Sequence, residues 1–293
     1  PGNTIVSEAF PILKGVVTDV TGGFEGEARW DWSSRGTRSN AKLLIENGGF
    51  ASIPVEVQGI NGTINLIDVL TPKSDGVQTF TMGLVDAGFP LMDGRLEFEL
   101  PGDNTARIDL VSWPFAGGRV GADQIIVPFD KLPDSITATI NGVDAAELVN
   151  LADVPDLDAK GALNGIIPIR FTDKGVVIDN AQISSMGAGV LRYRSASAAE
   201  TLKQSGGSAE ILSNALQDFR FDDLSIRLDG PLDGEIIAKA QINGSNPALY
   251  DGKRIELNVS LQGALREFLQ SANVIRNIPE TIRDRVQGPS GNQ

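Results

Sequence analysis

Apolar and polar residues alternate through long stretches of this chain, and the alternation is clearest between Gly161 and Arg194. There Leu163, Ile167, Ile169 and Phe171 alternate with Asn164, Pro168 and Arg170, the period of two expected of a strand with one apolar and one wet side. Ile166 is out of step. A polar turn at Thr172 to Gly175 follows, then Val176 and Ile178, then a register change at Asp179-Asn180 before Ala181 and Ile183, which predicts a β-bulge. A third short strand is expected after Gly187-Ala188-Gly189. Three more strands follow: Leu224, Ile226 and Leu228; Ile236, Ala238, Ala240 and Ile242; and Ile255, Leu257, Val259 and Leu261, the cleanest alternation in the chain.

The first half follows the same plan. Ile53, Val55 and Val57 alternate with Pro54, Glu56 and Gln58, and Leu66 to Leu70 is apolar enough for another strand. Further strands are expected at Arg95 to Leu100, Thr105 to Val111, Gln124 to Phe129 and Ser135 to Ile140. Apolar rows run through Leu96, Phe98 and Leu100, through Ala106, Ile108 and Leu110, and through Ile125, Val127 and Phe129. Gly22-Gly23, Asn47-Gly48-Gly49, Asn61-Gly62, Pro101 to Asn104 and Gly117-Gly118 are the expected breaks. Such spacing is that of an antiparallel meander.

Helices are few. Asp144 with Glu147 resembles a capping box and opens a helix over 145 to 151 that ends by Pro155. A second is expected near 198 to 217, opening at Ser197 with Glu200, interrupted at Gly206-Gly207, and carrying Ala209, Leu212, Leu216 and Phe219 on one stripe. Leu265 to Ala272 and Pro279 to Val286 read as amphipathic helices, and the tail from Gly288 as loose.

Composition narrows the function. The 293 residues are 41% hydrophobic and 22% charged, ordinary for a folded chain, and 33 glycines with 15 prolines favour many short strands. With 25 basic against 38 acidic residues the net charge is −13, which disfavours nucleic acid and acidic bilayer surfaces. The absence of cysteine removes disulfides and thiol chemistry, and the absence of histidine removes the usual general base and the commonest zinc ligand. No apolar run is long enough to cross a membrane as a helix. The chain therefore reads as a soluble piece.

A catalytic reading would rest on carboxylates, of which Asp218, Asp222, Asp223, Asp229 and Asp233 cluster in sequence. Acids at strand ends and turns more often cap and solvate, so no catalytic residue is assigned. Neither Asp156-Leu157-Asp158 nor Asp229 to Asp233 has calcium-loop spacing, and Gly187-Ala188-Gly189 lacks the third glycine of a dinucleotide fingerprint. No metal or cofactor is expected. Trp30 and Trp32 lie on one face of a strand, where aromatic residues ordinarily pack; a sugar platform or a lipid-contacting rim is the alternative.

An ordered set of residues carries a family resemblance. Gly165 to Ile169, Asp173 to Ile178 and Gly187 to Tyr193, then Asn243, Gly244, Asn246, Pro247, Gly252, Asn258 and Gly263, resemble the C-terminal region of the YdbH family. These are AsmA-like and TamB-like bacterial bridge proteins implicated in moving phospholipid between the inner and outer membranes. The likeness is strong from about Gly142 to Gly263 and architectural before that. It implies a long, curved, mostly antiparallel sheet forming an open hydrophobic groove, a β-taco, in the periplasm. It also implies a parent protein anchored in the inner membrane, phospholipid acyl chains as cargo, and a small outer-membrane lipoprotein as partner, adding a strand to an open edge.

The expectation is thus a mainly β, non-enzymatic lipid conduit with a few flanking helices, in which 1–142 form the N-terminal part of the groove and 143–293 the C-terminal part. The candidate lining is Leu163, Ile167, Ile169, Ile178, Ile183, Ile226, Leu228, Ile236, Ile242, Ile255, Leu257, Val259 and Leu261. Alternation alone equally describes a closed sandwich with a dry core. An adaptor domain that binds envelope proteins without lipid is the second reading, and a carbohydrate-binding module a third.

Overall fold

A computed structural model describes residues 18–34, 36–52, 55–86, 90–152, 155–194, 208–232 and 234–264. The fold is mainly β, its ladders antiparallel and its sheet open rather than closed into a barrel. Two compact units make it up: described residues to Pro114 with Gly121–Ile136, and Phe115–Val120 with those from Thr137 onward.

The first unit carries β1 (Thr18–Ser33), β2 (Gly36–Ser52), β3 (Val55–Asp68), the short β4 (Lys73–Ser74), β5 (Gln78–Asp86), β6 (Pro90–Glu99) and β7 (Thr105–Phe115). Their order is β1-β2-β3-β5-β6-β7, with β4 beside β3. The chain passes between the units at the end of β7 and again within β8 (Gly118–Pro128) and β9 (Ser135–Asp144). In the second unit follow α1 (Ala145–Ala152), β10 (Leu157–Lys160), β11 (Ala162–Thr172), β12 (Gly175–Ser185), β13 (Gly189–Tyr193), α2 (Ser208–Ala215), β14 (Phe219–Pro231), β15 (Glu235–Ser245) and β16 (Ile255–Ala264). Here the order is β9-β11-β12-β14-β13-β10; β14 takes β12 and β13 along one edge and β15 along the other, and β16 pairs with β15.

Glycine pairs behave differently from the expectation. Gly22-Gly23, Asn47-Gly48-Gly49 and Asn61-Gly62 do not end strands but lie inside β1, β2 and β3, and the first two coincide with register shifts. A Cβ on Gly22, which has φ 112°, would stand 2.6 Å from the Gly48 Cα, so the two backbones approach as only glycine allows. Gly62 instead leaves room for the Phe80 ring on the neighbouring strand. Asp68 ends β3 two residues before the expected strand end, because its carboxylate accepts from Leu70 N (2.9 Å), Thr71 Oγ1 (2.7 Å) and Ser39 Oγ (3.0 Å).

In β7 the expected row Ala106, Ile108, Leu110 is broken. Phe98 pairs with Ile108 but Leu96 pairs with Val111, so an extra residue at Asp109 puts Leu110 opposite Glu97. Farther along, Thr172 Oγ1 donates to Gly175 O (2.7 Å) and closes the expected β11–β12 turn. The bulge in β12 is also present: the pairing with β14 shifts between Ile178 and Ala181, that with β11 between Ile178 and Gln182, and Asn180 has φ 55°.

Both helices occur near the expected places. Ala146 N donates to Asp144 Oδ1 (2.7 Å), the N-cap read from the sequence. The second helix ends at Ala215, not at Phe219, which begins β14 and is fully buried there. The stretches read as Ser197–Gly207, Leu265–Ala272 and Pro279–Val286, together with Ile53-Pro54 and Asp233, lie outside the described residues.

Candidate apolar binding face

Strand register decides which side chains share a side of the second unit. Ile169 faces Ile178 across β11–β12; Ile178, Ala181 and Ile183 face Gly230, Leu228 and Ile226 across β12–β14. Leu224, Ile226 and Leu228 face Ile242, Ala240 and Ala238, which in turn face Leu257, Val259 and Leu261. Leu163 lies in the same row, opposite Ser185; Ile255 is opposite Gly244 and Ile236 opposite Gly263. Ile167 falls within a register shift and packs with Ile178, Ala181 and Ile236. The register therefore gathers the candidate residues on one face of one sheet, although the side chain of Leu261 is outside those described.

The opposite face is polar. Gln182 pairs with Arg227 and Ser184 with Ser225, and these continue into Lys239 and Gln241, then Ser260 and Asn258. Ile166, 55% exposed, and Ile237, 42% exposed, interrupt it as exposed apolar groups.

Helices cover part of the apolar face. Ala215 of α2, with Leu212 and Leu216, packs on Phe219, Phe221, Ile242, Leu257, Leu224 and Ile255. Helix α1 contributes Ala145, Leu148 and Val149 to a cluster with Ala159, Leu163, Ile183 and Leu224. Ile226 and Val259 belong to neither cluster and are half-buried, as are Ile167, Ile169 and Leu228. Among the described residues the face thus has a helix-covered end, built like a core, and a stretch across β14–β16 that α1 and α2 leave uncovered.

One family-motif residue seats α2. Asn246, 4% exposed, donates from Nδ2 to Asn214 O (3.0 Å) and Ala215 O (3.2 Å), satisfying carbonyls at the helix C-terminus, and accepts from Ala248 N (2.9 Å). Gly244 has a matching reason: a Cβ there would collide with the Arg220 carbonyl on β14.

Three acids of the cluster have structural partners. Asp222 pairs with Arg254 (2.7 Å), Asp223 accepts from Asn243 (2.9 Å), and Asp218 pairs with Arg192 (2.7 Å), which also reaches Asp158 (3.3 Å). The Arg192 hydrogen bond is the main cause holding the Asp218 carboxyl below its usual range, against partial desolvation. Because the folded value is depressed, the pair's stabilisation is present above the ordinary carboxylate value and is lost as pH falls through the lower one. Asp218→Asn should accordingly flatten the acid side of the stability curve below about pH 4. Denaturation midpoints between pH 2 and 7 check this, and an unchanged acid limb would remove the assignment.

The first unit carries an apolar face that the sequence reading did not propose as lining. Leu43 pairs with Ile64, Ala41 with Leu66, Gly62 with Phe80, and Phe80 with Leu96; Phe80 and Phe98 meet edge to face, with centroids 5.4 Å apart. The signal was present in Thr63-Ile64-Asn65-Leu66. On the same side of β1, Trp30 is 40% and Trp32 76% exposed, so among the described residues Trp32 is not packed as expected.

These features define a class: an open antiparallel sheet, apolar on one side and wet on the other, with no cluster of three metal-ligating side chains and no membrane-spanning helix among the described residues. The family model for YdbH-like proteins, described as intermembrane phospholipid transport protein YdbH, matches residues 3–287, and the chain belongs to that family. No curated protein and no solved structure matches it. The family is one of lipid transport rather than of enzymes.

Proposed function

We propose that this chain conducts phospholipid between the bacterial membranes by laying acyl chains on its apolar sheet face while the polar face stays in water. The single observation that supports this most is the register, which aligns aliphatic residues from β11, β12, β14, β15 and β16 on one side. An acyl chain of about fifteen methylenes meets a barrier on the order of 12 kcal/mol in water, at roughly 0.8 kcal/mol per methylene. A continuous apolar surface offsets most of it without any catalytic group. In this reading Ile226, Val259, Leu228, Ile167 and Ile169 contact lipid directly. Leu163, Ile183, Ile242, Ile255 and Leu257 shape the covered end, and Ile178 and Ile236 the floor.

Family membership supports a periplasmic setting within a longer, inner-membrane-anchored protein. Among the described residues β16 pairs only with β15, and its other edge suits strand addition by a small outer-membrane lipoprotein. Mass spectrometry of organic extracts tests the proposal. Purified chain from bacterial cells should carry phospholipid in stoichiometric amount. Lipid-free protein with a native circular dichroism spectrum would favour the adaptor reading instead.

A further inference from the structure

On the polar face of the second unit Arg227 of β14 and Lys239 of β15 are direct cross-strand partners. Like charges placed opposite one another in a ladder destabilise it. Both side chains are exposed, and neither makes an ion pair among the described residues. This is an unusual arrangement in a chain of net charge −13, where carboxylates to neutralise them are plentiful.

Arg227 and Lys239 line a shallow hollow of about 280 Å³ with Ser225, Ala240, Gln241, Asn258, Val259 and Ser260. The Ser225 and Ser260 hydroxyls share the hollow with the two cations. Two carboxylates lie near on this face: Asp229, two residues along β14 from Arg227 and opposite Ile237, and Glu256, which already accepts from Gln241 Nε2 and Asn258 Nδ2, both at 3.0 Å. A tetrahedral oxyanion seated between the cations would relieve their repulsion and gain charge-assisted hydrogen bonds, with the guanidinium offering a fork to two oxygens.

The geometry points to a phosphate-binding site on the wet face at Arg227 and Lys239, separate from the apolar face on the other side of the same strands. The ligand class is a phosphate mono- or diester, whether free phosphate or the headgroup of a lipid.

Titration of the purified chain with inorganic phosphate at constant ionic strength, followed by amide and arginine Nε–H shifts, tests this. Saturable shifts are expected at Ser225–Arg227, Lys239–Gln241 and Asn258–Ser260, and sodium chloride should not reproduce them. Arg227→Gln and Lys239→Gln should each weaken binding about tenfold, the loss of one charge-assisted contact. Lys239→Glu should abolish it while raising Tm by about 2–4 °C, since it turns a repulsive pair into an attractive one.

A parallel titration with dihexanoyl phosphatidylglycerol below its micellar concentration separates the sources. Shifts with both ligands assign the oxyanion itself, and shifts with the lipid alone assign the diester headgroup. Co-purifying phospholipid is read separately, by mass spectrometry of organic extracts, so failure of the acyl-chain proposal is distinguishable from failure here. Absence of shifts with both ligands, or equal shifts with chloride, would overturn the site.

Discussion

Val259→Glu is expected to cut co-purifying phospholipid about tenfold or more while leaving the fold intact, and Leu257→Glu, two residues away on the same strand and face, is expected to unfold the second unit. The difference follows from what lies over each side chain. Val259 is half-buried, opposite Ala240, outside both helix-covered clusters, so a carboxylate there can stay hydrated in the empty protein. An acyl chain crossing it must strip that water, which costs several kcal/mol against about 0.8 kcal/mol gained per methylene. Leu257 is 7% exposed, packed with Phe219, Phe221, Ile242 and Ala215. Replacing it loses a buried leucine and strands a charge, about 4 kcal/mol or more. Lipid per protein by mass spectrometry and urea midpoints by circular dichroism measure the two effects. Native lipid loading in folded Val259→Glu protein would remove β16 from the conduit.

The contrast shows where alternation in the sequence informs and where it stops. Period two sorts side chains between faces, and in the second unit it did so correctly across the bulge at Asn180, because the shift from Ile178 to Ala181 was itself visible as a break in the pattern. It cannot say which part of an apolar face is covered. That depends on where α2 seats, and α2 is held by a buried asparagine whose partners are backbone carbonyls more than thirty residues away in sequence.

Glycine was misread for a related reason. A Gly-Gly pair signals a conformation other residues avoid, but the signal is shared by turns and by bulges. Gly22 and Gly48 mark a close approach between two strands that run on past it, and only pairing reveals that. The bulge at Asp109 carries no glycine at all, so Leu110 was assigned to the wrong side. The cation pair at Arg227 and Lys239 was equally hidden. Each is an ordinary polar position on its own strand, and the repulsion exists only in the register between them.

Phe219→Ala should produce the largest loss of stability among single truncations of the second unit that leave no charge behind. Its side chain has no exposure, stands opposite Leu191, and touches the cluster that joins α2 to β14, β15 and β16. Truncation removes most of a buried ring at a point where helix and strand are both anchored, Asn246 on one side and the β13 ladder on the other, so collapse into the void is resisted. The expected cost is about 3–5 kcal/mol. In urea the midpoint should fall with an unchanged slope, as for a folded state that is weakened rather than expanded. Lipid loading, measured at low temperature where the variant stays folded, should persist, because the uncovered stretch around Ile226 and Val259 is untouched. A cost below about 1 kcal/mol would mean that α2 does not cap this end of the face; that is well under the range for a buried phenylalanine. Loss of lipid without loss of stability would place the cargo beneath the helix instead of beside it.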